Sequence, residues 1–303
     1  QKPNMRLVLP RTRRAVLPLA FALAGTWTAA AQAPTVPPIE LVRRAVRNEI
    51  KASNDPVSCM FRDRKETPRG SQTKLMVETR DAMAAILVAI NDHPLSPEQR
   101  ESEYARIQGF INDPDELRRK HKREKEDSER ITRIVKALPD AFLYEYDGTE
   151  PGKSGVGKQG DELVRLKFRP NPRYDPPSRV EQVLTGMQGY ILIDSDKDRI
   201  AKISGTLAKD VGFGWGILGH LDRGGHFLVE QGEVLNGYWE ITRMDLAVTG
   251  KVLFFKSINF KSNDIYSDFR PVPSNLTFAQ GVELLKRQEA TLAENQQQSG
   301  DQK

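Results

Sequence analysis

The chain has 303 residues, 38% of them hydrophobic and 29% charged, with a formal net charge of +5. The first 33 residues hold five basic residues and no acid, which leaves 41 basic against 41 acidic residues in the remainder. Net charge therefore gives no reason to expect a nucleic-acid partner. The single cysteine, Cys59, excludes an internal disulfide.

Residues 1–4 precede Met5, the expected start, and read as an extension. Arg6, Arg11, Arg13 and Arg14 then precede an apolar run from Ala15 to Ala24, and Ala31-Gln32-Ala33 follows. A charged region, an apolar region and an A-x-A site are the marks of a secretory signal peptide. The apolar run is too short, and too broken by Pro18, to span a bilayer. The expectation is a signal peptide over 1–33 and a soluble periplasmic product that begins near Pro34. Cys59 lies far past the cleavage site, so it is expected as a half-buried strand residue and not as a lipid anchor.

After a Pro34–Pro38 linker, Ile39, Val42, Val46 and Ile50 recur at helical spacing and predict a short amphipathic helix. Strands are expected over Ser58–Thr67 and Lys74–Ile90, joined by a turn at Pro68-Arg69-Gly70-Ser71. Ser96-Pro97-Glu98-Gln99 and Asp113-Pro114-Asp115-Glu116 are helix starts, each with a capping side chain before a proline at the first helical position. The second of these helices is expected to end at Leu138-Pro139. From Arg118 to Arg130 it is almost wholly charged, which reads as a solvated face laced with pairs such as Glu126–Arg130.

From Asp140 onward the chain reads as strand after strand: Ala141–Asp147, Glu162–Arg169, Gly186–Asp194, Arg199–Leu207, His226–Leu235, Tyr238–Val248, Lys251–Phe260 and Ile265–Arg270. The expected turns are Asp194–Asp198, Asn236-Gly237 and Thr249-Gly250. Such short turns make antiparallel neighbours. A final helix is expected from Thr277 to about Glu294, followed by a frayed polar tail.

Three segments imitate binding motifs. Gly152 to Lys158 resembles a phosphate-binding loop, but Gln159 replaces the magnesium-holding Ser or Thr and a strand, not a helix, follows. A mobile glycine-rich hairpin loop is the expectation there. Gly214-Trp215-Gly216-Ile217-Leu218-Gly219 matches G-x-G-x-x-G but leads into turn residues instead of a helix. Asp194-Ser195-Asp196-Lys197-Asp198 opens like a calcium loop, yet Arg199 and Gly205 stand where the loop needs Gly and Glu. His93, His121, His220 and His226 are scattered, with no metal-ligand spacing. No cofactor or metal is expected. No nucleophile–base arrangement emerges either, so the chain is read as a non-enzyme.

The aromatic-rich region Phe213–Phe260 is the remaining candidate. Phe213, Trp215, Trp239, Leu253 and Phe255 are the residues expected to line a pocket for an apolar ligand. Such binding needs no catalytic group, because each buried methylene contributes about 0.8 kcal/mol.

The strand run Gly189–Asp194 into Arg199–Ile203, with the paired strands Trp239–Val248 and Lys251–Phe260, resembles the LolA/LolB-like lipoprotein-carrier superfamily of Gram-negative envelopes. The resemblance covers about residues 140–273. It implies an α+β fold, a twisted antiparallel sheet forming a half-open barrel with covering helices, here with an inserted helical pair. It also implies a helical lid over an apolar cavity that shelters acyl chains. The organisation expected is 1–33 signal peptide, 34–139 helix, hairpin and charged helical pair, 140–273 half-barrel sheet, and 274–303 C-terminal helix and tail. The function expected is a periplasmic carrier for a lipid or lipoprotein acyl chain, with peripheral membrane contact. The alternatives are an envelope interaction module docking a protein through the charged helix 115–138, and a cryptic hydrolase.

Overall fold

Side-chain alternation and helix capping decide the local structure of this chain, and the computed structural model describes residues 36–54, 57–213, 219–252 and 256–300. Among the described residues there are five α-helices: α1 (Pro38–Ser53), α2 (Pro97–Asn112), α3 (Pro114–Ala141), α4 (Arg179–Gln182) and α5 (Phe278–Gly300). The strands are β1 (Cys59–Thr67), β2 (Gly70–Val77), β3 (Ala84–Ile90), β4 (His93–Pro94), β5 (Phe142–Pro151), β6 (Glu162–Pro170), β7 (Met187–Asp194), β8 (Arg199–Leu207), β9 (Val211–Phe213), β10 (Gly219–Leu221), β11 (His226–Leu235), β12 (Tyr238–Val252) and β13 (Lys256–Pro271).

All thirteen strands belong to one antiparallel sheet in the order β4-β3-β2-β1-β13-β12-β11-β8-β7-β6-β5, with β10 beside β12 and β9 beside β10. The sheet is not closed into a barrel, and β4 and β5 are its edges. Because β1 pairs with β13, from Cys59↔Pro271 to Glu66↔Asn263, segments 34–139 and 140–273 share this sheet.

Two apolar clusters hold the helices to it. Leu41, Val42, Ala45 and Val46 of α1, all buried, pack with Leu138 and Ala141 of α3 on Val164, Leu166, Phe168, Ile191 and Ile193. Phe278, Val282 and Leu285 of α5 and Ile107 of α2 pack on Met60, Leu75, Val77, Ala84 and Ile86. Tracing register from partner to partner places these clusters on opposite faces. Leu166 shares a face with Ile191, Ile203, Val229, Met244 and Asp264, whereas Leu75 shares one with Arg62, and Arg64 with Ile265, Arg243 and Glu230. Seven strand steps separate β2 from β6. The usual twist of about 20–25° per step turns the sheet normal by roughly 150° over that distance. Opposite faces at the two ends thereby turn toward the same side. A 28-residue helix, about 42 Å long, can serve both, and α3 does so: Leu117 packs in the α5 cluster and Leu138 in the α1 cluster.

Caps are formed as the sequence predicts. Ser96 Oγ accepts the Gln99 amide and Gln99 Oε1 accepts the Ser96 amide, a complete capping box. Asp113 caps α3 through the Asp115 and Glu116 amides.

Four local expectations are corrected. Lys74–Ile90 is two strands, because the Thr79 hydroxyl ties a turn with Asp81 and Ala82 between β2 and β3. α3 continues through Pro139 to Ala141, since a proline in the last turn removes only one helical bond. β12 runs straight through Thr249-Gly250. Gly250 serves close approach and not a turn: a Cβ there would meet the His220 carbonyl oxygen at 2.2 Å. Finally, β13 is one strand from Lys256 to Pro271 and not two.

Candidate functional site

β6 alternates from Val164 to Arg169. Leu163 and Val164 are buried, then Leu166 and Phe168 point to the α1 cluster while Arg165, Lys167 and Arg169 point to the other face. On that second face, register brings Gln188 and Tyr190 of β7, Ser204 and Thr206 of β8, His226 and Leu228 of β11 and Asp245 of β12 into adjacent rows. Together with Leu143 and Glu145 of β5 they line an open trough of about 680 Å³. Small-molecule sites commonly occupy roughly 300–1,000 Å³.

Glycines let β7 and β8 approach closely behind the trough, on the face of the α1 cluster. Gly189 and Gly205 are paired across β7 and β8, in a row between Phe168 and Phe227. A Cβ at Gly189 would meet the Ser204 carbonyl oxygen at 2.0 Å, and one at Gly205 would meet the Gln188 carbonyl oxygen at 2.5 Å. Backbone there approaches more closely than any side chain allows.

One wall is cationic but largely neutralised. Arg165 stacks on the Tyr190 ring at 3.8 Å and pairs with Asp147 at 2.9 Å and with Glu150. Lys167, and then Arg165, hold the Asp147 carboxyl below the usual aspartate range. Burial works against the Lys202 charge, yet Glu230 and Tyr190 lift its pKa above the ordinary lysine value. On the far wall His226 Nε2 lies 3.3 Å from Asp245 Oδ1, and Asn263 donates to Asp245 Oδ2. Arg169 is the least committed cation. Its Glu145 contact is 3.7 Å, with side chains 59% and 68% exposed. An exposed pair of that kind holds by about 0–1 kcal/mol, so an incoming anion can replace it.

Phe213 and Trp239, two of the residues expected to form an apolar pocket, are not brought together. Trp239 is 5% exposed and fills a small core with Val156, Leu163, Leu192 and Ala201, beneath the Arg199 guanidinium at 5.4 Å. Phe213 ends β9, which reaches β12 through β10 at Gly219↔Val252, whereas Trp239 starts β12. Thirteen strand residues separate those points, roughly 40 Å along the strand. Trp215, Leu253 and Phe255 lie outside the described residues. The trough had a sequence signal that the aromatic pattern overshadowed: basic residues at every second position of β6, a polar face on a strand whose other face is core.

The motif lookalikes resolve as follows. The Gly152–Gln159 segment is a hairpin loop followed by β6, with no helix behind it. Three hydrogen bonds tie it to the sheet: Gly157 donates to the Gln231 carbonyl, Glu233 donates to Gly157, and Thr242 Oγ1 donates to Gly155. Asp194–Asp198 is the β7–β8 turn, in which Asp194 Oδ1 accepts the Asp196 and Lys197 amides. Among the described residues no group of three or more His, Cys, Asp or Glu side chains is placed to hold a metal ion. The first five residues of Gly214–Gly219 lie outside the described residues. Cys59 is 2% exposed, and burial, then Glu78 and Glu240, push its thiol up to about 11. Among the described residues no helix is long and apolar enough to cross a membrane.

No family profile matches the chain, and no curated protein matches it. Among solved structures, one described as a DUF1329 family protein from Desulfovibrio piger aligns over 80% of this chain and 97% of its own, at 12% identity and a TM-score of 0.29. That likeness is too slight to bear on fold or function.

Proposed function

We propose that this chain is a secreted, periplasmic carrier of the LolA/LolB-like kind that holds an amphipathic ligand, an acyl chain with an anionic end, in the trough on β5–β8 and β11. One observation carries the reading: the trough joins apolar surface from Leu143, Leu228 and the Tyr190 ring to the loosely paired Arg169. The apolar part supplies affinity in proportion to the area buried, and the guanidinium orients the polar end. This moves the ligand site away from Phe213 and Trp239, since Trp239 is already packed. Signal peptide, export and carrier role rest on the leader-like 1–33 segment and on this trough.

Native mass spectrometry of protein purified from the periplasm tests the reading. The expected result is a co-purified amphiphile released on collisional activation. Protein that emerges only as the unliganded chain, and that takes up no added fatty acid, would contradict it.

A further inference from the structure

The two edges of the sheet are treated differently. β4 is two residues long, contains Pro94 and runs directly into α2, so it offers almost no edge. β5 is ten residues long and, among the described residues, has β6 as its only strand neighbour. The Asn171 amide donates to the Ala141 carbonyl, which makes 141 and 171 a hydrogen-bonded pair. By alternation Leu143 and Glu145 also bond to β6, so the N–H and C=O groups of Tyr144 and Tyr146 point outward. Among the described residues no other segment bonds to them. An open cleft of about 600 Å³ runs beside this stretch, walled by Ile39 and Arg43 of α1 and by Asn171, Arg173 and Tyr174.

From this geometry we infer that β5 is a docking edge for an extended, basic peptide strand of a partner protein. Outward amides and carbonyls at every second residue are matched by the backbone of another strand. Charge selects which strand. β5 carries Glu145, Asp147 and Glu150 and no basic residue. Its inner neighbour β6 answers with Arg165, Lys167 and Arg169. A second copy of β5 would set acid beside acid, which destabilises a strand pair, whereas a strand with basic residues at alternate positions repeats what β6 already supplies. The edge shares Leu143 and Glu145 with the ligand trough but does not depend on the trough being a ligand site.

The test uses the full chain and a fluorescein-labelled nine-residue peptide with the β6 sequence Glu162–Pro170. Three forms are compared by anisotropy: unmodified, N-methylated at odd positions and N-methylated at even positions. The unmodified peptide is expected to bind. One methylated set should weaken it by about tenfold or more, and the other should leave it nearly unchanged, because only one edge of the peptide faces β5. Hydrogen exchange at the Tyr144 and Tyr146 amides should slow only when peptide is present. No binding, or equal loss from both methylated sets, overturns the proposal. Amides already protected in a sedimenting dimer would assign the edge to a second copy and also overturn it. None of these results bears on fatty-acid uptake by the trough, so the two readings fail separately.

Discussion

Glu49 joins three segments that are far apart in sequence. Its Oε1 accepts from Arg199 Nε at 2.9 Å, the Ile200 amide at 2.9 Å and Gln231 Nε2 at 2.7 Å, and Arg199 Nη2 reaches Oε2 at 3.1 Å. Glu49 and Arg199 are 15% and 13% exposed. Glu49→Ala would strand a nearly buried guanidinium, so a loss of about 3–5 kcal/mol is expected in urea unfolding, against less for Glu49→Gln. Nothing near Glu49 in the sequence announces this, because its partners lie 150 and 182 positions away. Glu78 is the second informative residue. Burial, then the nearby Glu240 carboxylate, raise its pKa from 4.5 to about 7, while a hydrogen bond from the Cys59 backbone opposes the shift. Between those values the folded chain keeps a proton that the unfolded chain has released. Stability from this group is therefore lost as pH rises from 4.5 to 7. Glu78→Gln should raise stability at pH 8 by about 1–2 kcal/mol after allowing for solvent screening, and change it little at pH 4. Thermal melts of both proteins at the two values check this, and an equal effect at both would contradict the assignment.

Elements with local punctuation were legible in advance. Ser96 and Asp113 before prolines mark two helix starts, and Gly70, at φ +117°, closes the β1–β2 hairpin. Elements set by distant chain were not. Thr249-Gly250 has turn composition, yet pairing with β10 on one side and β13 on the other keeps it extended. α3 shows how the two sources combine. Leu117, Glu124, Ile131 and Leu138 recur every seven residues along one stripe, but only the ends meet apolar clusters. Glu124 accepts the Met83 amide, while Ile131 is 61% exposed. The charged stretch carries the intrahelical pairs Lys120–Glu124 and Arg130–Asp127, so the expected partner of Arg130 is replaced by a nearer one. Leu138→Ala should cost about 2–5 kcal/mol in chemical denaturation and Ile131→Ala under about 0.5 kcal/mol. Comparable losses would mean that the middle of the helix is covered.

At the scale of the molecule, an alternating run of strands implied an antiparallel sheet, and the neighbours β1–β2, β7–β8 and β11–β12 follow from short turns. The opposite-face placement of α1 and α5 was hidden, since it depends on twist accumulated over seven strand steps and on the β1–β13 pairing between distant segments. The separation of Phe213 from Trp239 was hidden for a related reason. Aromatic residues near one another in sequence were expected to meet, but a long strand carries them apart, while register gathers Arg169, Ser204 and Leu228 from four strands' reach. The most direct test of the carrier reading is titration of a fluorescent fatty acid into the wild type and Ser204→Trp, with melting temperatures measured on both. Ser204 sits half-exposed on the trough floor, so an indole there fills the space without entering either helix cluster. The predicted result is saturable binding by the wild type, weakened by about tenfold or more in the variant, with little change in melting temperature. Unchanged binding in a well-folded Ser204→Trp protein, or no binding by the wild type, would contradict the trough as the ligand site.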